Sequence, residues 1–149
     1  MVKILRTNSD NTDFINLVKL LDSYLKITDG EDHDFYNQFN NIDVLQNVVV
    51  FYVNHKPVGC GAFKEFNESS VEVKRMYVVE KYRNQGIAKK VLQELESWAL
   101  EIGYKKCILE TGKRQTEAVQ FYNKCDYNVI PNYGQYVAME NSICFEKTL

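Results

Sequence analysis

Tyr77-Val78-Val79-Glu80-Lys81-Tyr82-Arg83-Asn84-Gln85-Gly86-Ile87-Ala88-Lys89-Lys90-Val91-Leu92 carries the chain from an apolar, β-rich run through a polar turn into a helix. Ile87, Val91, Leu92, Leu95, Ala99 and Ile102 recur at three- and four-residue spacing, which puts them on one helix face, and Gly103 stands where a helix stops. A turn of small residues ahead of a helix leaves the first backbone N–H groups unpaired. The positive end of the helix dipole points the same way, so such a turn suits an anion. Gly86 lets the backbone approach a phosphate, Ala88 keeps the first turn small, and Arg83, Lys89 and Lys90 add positive charge. An ordinary strand-to-helix turn with solvated lysines has the same spacing. Neither Gly-x-x-x-x-Gly-Lys-Ser/Thr nor Gly-x-Gly-x-x-Gly occurs, which removes two familiar nucleotide loops.

Upstream of this stretch, Val71 to Val79 reads as a strand in which Val71 and Val73 alternate with Glu72 and Lys74. Strict alternation places Glu72 and Met76 on one face. Val48 to Val53 and Val58 to Phe63 flank the polar Asn54-His55-Lys56-Pro57 and form a hairpin. His55 is then an exposed turn residue. Val2 to Arg6 is a first strand, and Asp13 to about Lys26 is a helix with Phe14, Leu17, Val18, Leu21 and Leu25 on one face. Asp29 to Asn41, with Phe35, Tyr36 and Phe39 at helical spacing, is a shorter helix or an ordered loop. Downstream come a buried strand at Lys106 to Glu110, a short helix around Ala118, Phe121, Tyr122 and Cys125, and β-rich pieces at Tyr127 to Ile130 and Ser142 to Phe145. The order makes one α+β domain over residues 1–149, with a mixed, mostly antiparallel sheet flanked by helices.

Composition narrows the function classes. With 45% hydrophobic and 26% charged residues the chain has the balance of a globular protein, and 149 residues suffice for one core. The net charge of -2 is well mixed, without the basic tract that follows a phosphate backbone, so nucleic acid is not an expected partner. No apolar run is long enough for a membrane span, and Met1 to Arg6 is too short for a secretory h-region; the cytoplasm is the expected compartment. Cys60, Cys107, Cys125 and Cys144 lack paired spacing and only His33 and His55 join them, so no metal site or disulfide framework is expected.

The stretch Tyr77 to Leu92 resembles the first motif of the GNAT N-acetyltransferases, Arg/Gln-x-x-Gly-x-Gly/Ala after a hydrophobic strand. Ala118-Val119-Gln120-Phe121-Tyr122-Asn123-Lys124-Cys125-Asp126-Tyr127 is similar to the Ala-x-x-Phe-Tyr segment that follows the family's fifth strand. The resemblance covers about 100 residues and implies the GNAT acyl-CoA N-acyltransferase fold. It implies acetyl-CoA as cosubstrate, held by Tyr77, Val78, Val79, Arg83, Asn84, Gln85, Gly86, Ile87, Ala88, Lys89, Gln115, Ala118 and Tyr122. Gln115 stands where the family carries Asn, and Asp126 where it carries Gly, a residue type that tolerates left-handed backbone.

The reaction implied is acetyl transfer to a primary amine of a small molecule or peptide in a ternary complex. It needs a neutral amine, a donor for the acyl oxygen and a proton for the departing thiolate. By resemblance the Val78 N–H faces the carbonyl, Tyr122 is the general acid, and Glu72, eleven residues before Arg83, is the base. Glu110 or a water chain could replace Glu72, and Glu72 could instead be a partner for Lys74 or Arg75. Tyr24, Tyr36, Tyr133 and Tyr136 are candidates for the acceptor pocket. A non-catalytic acyl-CoA sensor or docking module of the same fold is the alternative. The acceptor is not legible, and a homodimer is left open.

Overall fold

The computed structural model describes residues 1–32 and 45–149. The chain opens with strand β1 (Val2–Thr7) and helix α1 (Thr12–Asp29). The Asn11 side chain caps α1 by accepting from the Phe14 N–H at 2.9 Å. A single 3-10 turn, Gly30–Asp32, follows. The expected second helix with Phe35, Tyr36 and Phe39 lies outside the described residues. Strands β2 (Asn47–Val53), β3 (Lys56–Asn67) and β4 (Ser70–Val78) come next, then helix α2 (Ile87–Glu101), strand β5 (Lys106–Gly112) and helix α3 (Thr116–Lys124). Strands β6 (Asn128–Ile130) and β7 (Ser142–Thr148) close the chain.

The seven strands among the described residues form one sheet in the order β1-β2-β3-β4-β5-β7-β6, antiparallel except for the parallel pair β4–β5. Asn54 and His55 both have positive φ, 49° and 70°, as a two-residue hairpin turn between right-twisted strands requires. One sheet face packs on α1 through Phe14, Leu17, Val18, Val48, Val50, Cys60 and Ala62. The other packs on α2 through Val49, Phe51, Val58, Val91, Leu92 and Leu95, with Tyr122 of α3 in the same cluster. Ile102 departs from the expected stripe. The helix ends at Glu101, so Ile102 falls beyond the last turn and is 53% exposed. Cys60, Cys107 and Cys144 are buried and Cys125 is half-buried, all four as free thiols.

The alternation expected along β4 breaks at Arg75. Lys74 pairs with Ala62 and Tyr77 with Cys60, so Arg75 and Met76 together oppose the single residue Gly61. That is a β-bulge, and Arg75 sits in it at φ 61°, a conformation that costs a bulky residue energy. Beyond the bulge the faces exchange. Met76 packs with Val71, Val73 and Val78 on the α2 side, while Glu72 lies on the α1 side, so these two residues do not share a face. The bulge also leaves Lys74 and Arg75, neighbours in sequence, on one face.

Candidate functional site

β4 and β5 pair only from Ser70–Glu72 against Lys106–Ile108 and then separate. The separation opens the sheet, and α2 begins above the gap. Val79 N–H donates to Val58 O across β3 at 2.8 Å. In an extended strand the preceding N–H points the other way, so the N–H groups of Val78 and, two residues back, Met76 are directed into the gap. Arg83 Nε donates to Val78 O at 2.9 Å, and its guanidinium lies 5.5 Å from the Tyr77 ring and 5.7 Å from the Tyr24 ring. Three contacts therefore hold the start of the turn against the strand end.

Gly86 is the N-cap of α2, at φ 79°, and no side chain caps the helix. A Cβ there would meet nothing within 4 Å, so the space above the first turn is open. Within the helix, Lys90 N–H is bonded to Gly86 O, which leaves the N–H groups of Ile87, Ala88 and Lys89 as the unpaired donors of the first turn. The resulting groove measures about 550 Å³. Tyr77, Val78, Arg83, Asn84, Gly86, Ile87, Ala88 and Lys89 line one wall, and Gln115, Ala118, Phe121, Tyr122 and Cys125 line the other. Burial pushes the Tyr122 phenol well above its ordinary value, so its hydroxyl stays protonated. Its ring packs against Phe121, Tyr127 and Phe145.

A second, smaller cavity of about 120 Å³ adjoins the groove. Leu21, Met76, Gln115, Ala118 and Tyr122 line both spaces. Its remaining lining mixes apolar residues, Leu25, Val73 and Leu109, with the charged Glu72, Lys74 and Arg75 from β4 and Glu110 from β5, and Tyr136 stands beside them. Glu72 accepts from the Tyr133 hydroxyl at 2.7 Å and lies 3.8 Å from Lys74 Nζ. Burial lowers the Lys74 pKa and Glu72 opposes that shift, while burial and Glu72 together push the Tyr133 phenol up. Arg75 Nη1 donates to Asp22 of α1 at 2.9 Å, and Arg75 Nε is buried without a partner. Burial lowers the Arg75 pKa and Asp22 opposes it.

Most of the sequence-derived residues therefore meet around one continuous space, and two do not. Val79 spends its N–H on β3 and packs toward the α1-side core, and Gln85 is exposed outside the groove wall. Glu72 lines only the small cavity, whereas Tyr122 lines both spaces. Asp126 adopts φ 71°, keeping the turn after α3 that glycine would otherwise make. Among the tyrosines, Tyr24 lines the groove, Tyr136 the small cavity, and Tyr133 bonds Glu72; Tyr36 lies outside the described residues. Sequence reasoning missed the part played by Gly61. A Cβ there would lie 2.5 Å from Met76 Sδ and 2.9 Å from Leu95 Cδ1, so only glycine lets α2 and Met76 close on β3. The signal was present in Gly59-Cys60-Gly61, since glycine inside a strand marks a bulge or a close approach. Among the described residues no cluster of three or more His, Cys, Asp or Glu side chains could hold a metal ion.

Comparison with known proteins agrees with this geometry. The family model described as acetyltransferase (GNAT) matches residues 14–127. The uncharacterized N-acetyltransferase YsnE of Bacillus subtilis is 31% identical over 93 residues, 61% of this chain and 62% of that one. The IAA acetyltransferase of Azospirillum brasilense is 33% identical, over 62% of this chain and 61% of that one. The chain thus matches about three-fifths of the length of each of these two relatives. A Klebsiella pneumoniae structure described as an acyl-CoA N-acyltransferase superposes with a TM-score of 0.82 at 25% identity, covering 100% of this chain and 98% of that one. The PaiA N-acetyltransferase of Thermoplasma acidophilum, solved with coenzyme A, gives a TM-score of 0.74 at 17% identity, over 100% and 99% of the two chains, and so shares the fold. No helix among the described residues is long and apolar enough to cross a membrane.

Proposed function

The chain belongs to the acetyltransferase (GNAT) family, and on that premise we propose that it moves an acetyl group from acetyl-CoA to a primary amine of a small molecule or peptide, by direct attack with both substrates bound. The observation that carries this reading is the junction at Met76, Gln115, Ala118 and Tyr122, where a groove headed by a helix N-terminus meets a separate cavity. A two-substrate transfer needs two adjoining spaces and one place where they touch.

The residues present fit the cosubstrate. The open space over Gly86, the unpaired N–H groups of Ile87, Ala88 and Lys89, and the cations Arg83 and Lys89 suit a diphosphate. When bound, acetyl-CoA supplies a thioester with an electrophilic carbonyl carbon and a thiolate leaving group. The N–H groups of Met76 and Val78 hold the carbonyl oxygen and the arm behind it. Met76 takes the oxygen, because it lines both spaces whereas Val78 lines only the groove. Tyr122 gives its proton to the sulfur. The burial that raises the phenol also raises a thiolate beside it, so the transfer is less uphill than the phenol's shift alone suggests. Glu72, which lines the small cavity, removes the amine proton directly or through water.

Calorimetry with CoA, followed by thiol release with acetyl-CoA and a panel of amines, tests the reading. CoA uptake and amine-dependent thiol release are expected. Absence of CoA uptake at millimolar concentration removes the proposal, and uptake without release for every amine favours an acyl-CoA-binding module instead.

A further inference from the structure

We propose that the acceptor amine carries a carboxylate, as a small amino acid does, and that Arg75 together with Lys74 is the seat of that carboxylate in the small cavity. The inference rests on the acetyl-transfer reading above and names its substrate class. It starts from the bulge. An unbroken strand would send Lys74 and Arg75 to opposite faces, but the extra residue opposite Gly61 turns both cations toward one space. Both are nearly fully buried there, Arg75 at 7% exposure and Lys74 at 8%.

Buried cations need partners, and those of Arg75 are incomplete. Asp22 accepts only from Nη1. Nε is buried and makes no hydrogen bond, although a buried donor without an acceptor is costly and rare in folded proteins. Nε and Nη2 form the side-on edge of the guanidinium, the two parallel donors that a carboxylate accepts in bidentate fashion. Glu72 stands beside Lys74 on β4 at 3.8 Å, and Glu110 of β5 lines the same cavity. A cavity lined by charges of both signs suits a ligand that bears both. At about 120 Å³ it suits a small one. With its carboxylate at Arg75, such a ligand has its amine within reach of the adjacent Met76, where groove and cavity join. A plain alkylamine would leave Nε unpaired in the complex as well.

Matched pairs test this on the wild-type protein. Amino acids of two to five carbons, amine at either end, are compared with the amines left when the carboxylate is deleted. Each is titrated into CoA-saturated protein by calorimetry and assayed by thiol release. The carboxylate-bearing member should bind and react more efficiently by on the order of tenfold or more, the worth of hydrogen bonds to a charged group. In Arg75→Lys, which keeps the charge and loses the fork, that ratio should fall toward one. Equal or better use of the carboxylate-free member overturns the inference and leaves acetyl transfer standing. An unchanged ratio in a folded Arg75→Lys overturns the assignment to Arg75. Should that variant not fold, the wild-type pairs decide alone. Failure of CoA uptake takes down both this inference and the reading beneath it.

Discussion

The groove and the small cavity share Met76, Gln115, Ala118 and Tyr122 but are made of different material. The groove takes its donors from main chain, at the gap between β4 and β5 and the uncapped start of α2, between aromatic walls that include Tyr24, Tyr77 and Phe121. The cavity sets the charged Glu72, Lys74, Arg75 and Glu110 among apolar residues such as Leu25 and Leu109, and two of those charges are held by partners far away in sequence. Tyr133 reaches Glu72 across 61 residues and Asp22 reaches Arg75 across 53. Backbone donors suit features common to a whole ligand class and depend little on side-chain identity. Charged side chains discriminate between ligands, and each must be satisfied by a neighbour that the fold brings in. A generic subsite can thus be built from a short motif, whereas a selective one requires the whole sheet.

The comparison can be broken most forcefully at the shared residue Tyr122. Tyr122→Phe keeps the ring packing and removes the hydroxyl, so kcat should fall by about 100-fold or more while CoA affinity measured by calorimetry holds. Undiminished turnover would take Tyr122 out of the chemistry. Gly61→Val tests whether the two spaces are mechanically joined. Its side chain would drive Met76 and Leu95 away, costing about 1–3 kcal/mol of stability in denaturant melts and raising KM for the amine more than for acetyl-CoA. Unchanged KM values for both substrates would deny Met76 its place at the junction.

Gly86→Ala probes the groove alone. Nothing stands near the added Cβ, so the cost is the left-handed backbone, about 1 kcal/mol in the same melts, and the amine KM should not move. A shift in amine KM would mean that the two subsites are not separable. The smallest effect concerns the cavity's charge. Burial holds the Lys74 pKa below 10.5 in the folded protein. Between its folded value and the unfolded value of about 10.4, the unfolded chain binds more protons, so Lys74's contribution to stability rises with pH across that window. Wild type should therefore gain on Lys74→Met as melts are taken from neutral pH toward pH 10. A constant difference would show that Lys74 is not desolvated.

The same contrast explains what was readable in advance. The α2 stripe and the hairpin at Asn54 and His55 follow from local spacing, because each is decided within about a dozen residues, whereas the turn at Asp126 and most of the groove wall follow from the family resemblance. Val79 and Gln85 were assigned to the groove by position in a motif, and their real environment depends on strand pairing and on the course of the turn. Glu72 and Met76 were expected on one face because period-two alternation has no means of anticipating an extra residue. Tyr133's bond to Glu72 joins segments that only the β5–β7–β6 side of the sheet brings together.

By itself the sequence determined that this chain folds as helices on a mixed sheet, with a glycine turn ahead of a helix starting at Ile87. Hydrophobic periodicity and glycine placement act over one or two turns of backbone, and they are written residue by residue. The tertiary structure alone decided that β4 bulges at Arg75, that Lys74 and Arg75 line one cavity, and that Glu72 and Met76 fall on different faces. Register between strands is a property of two segments at once, and burial of a charge depends on everything that surrounds it.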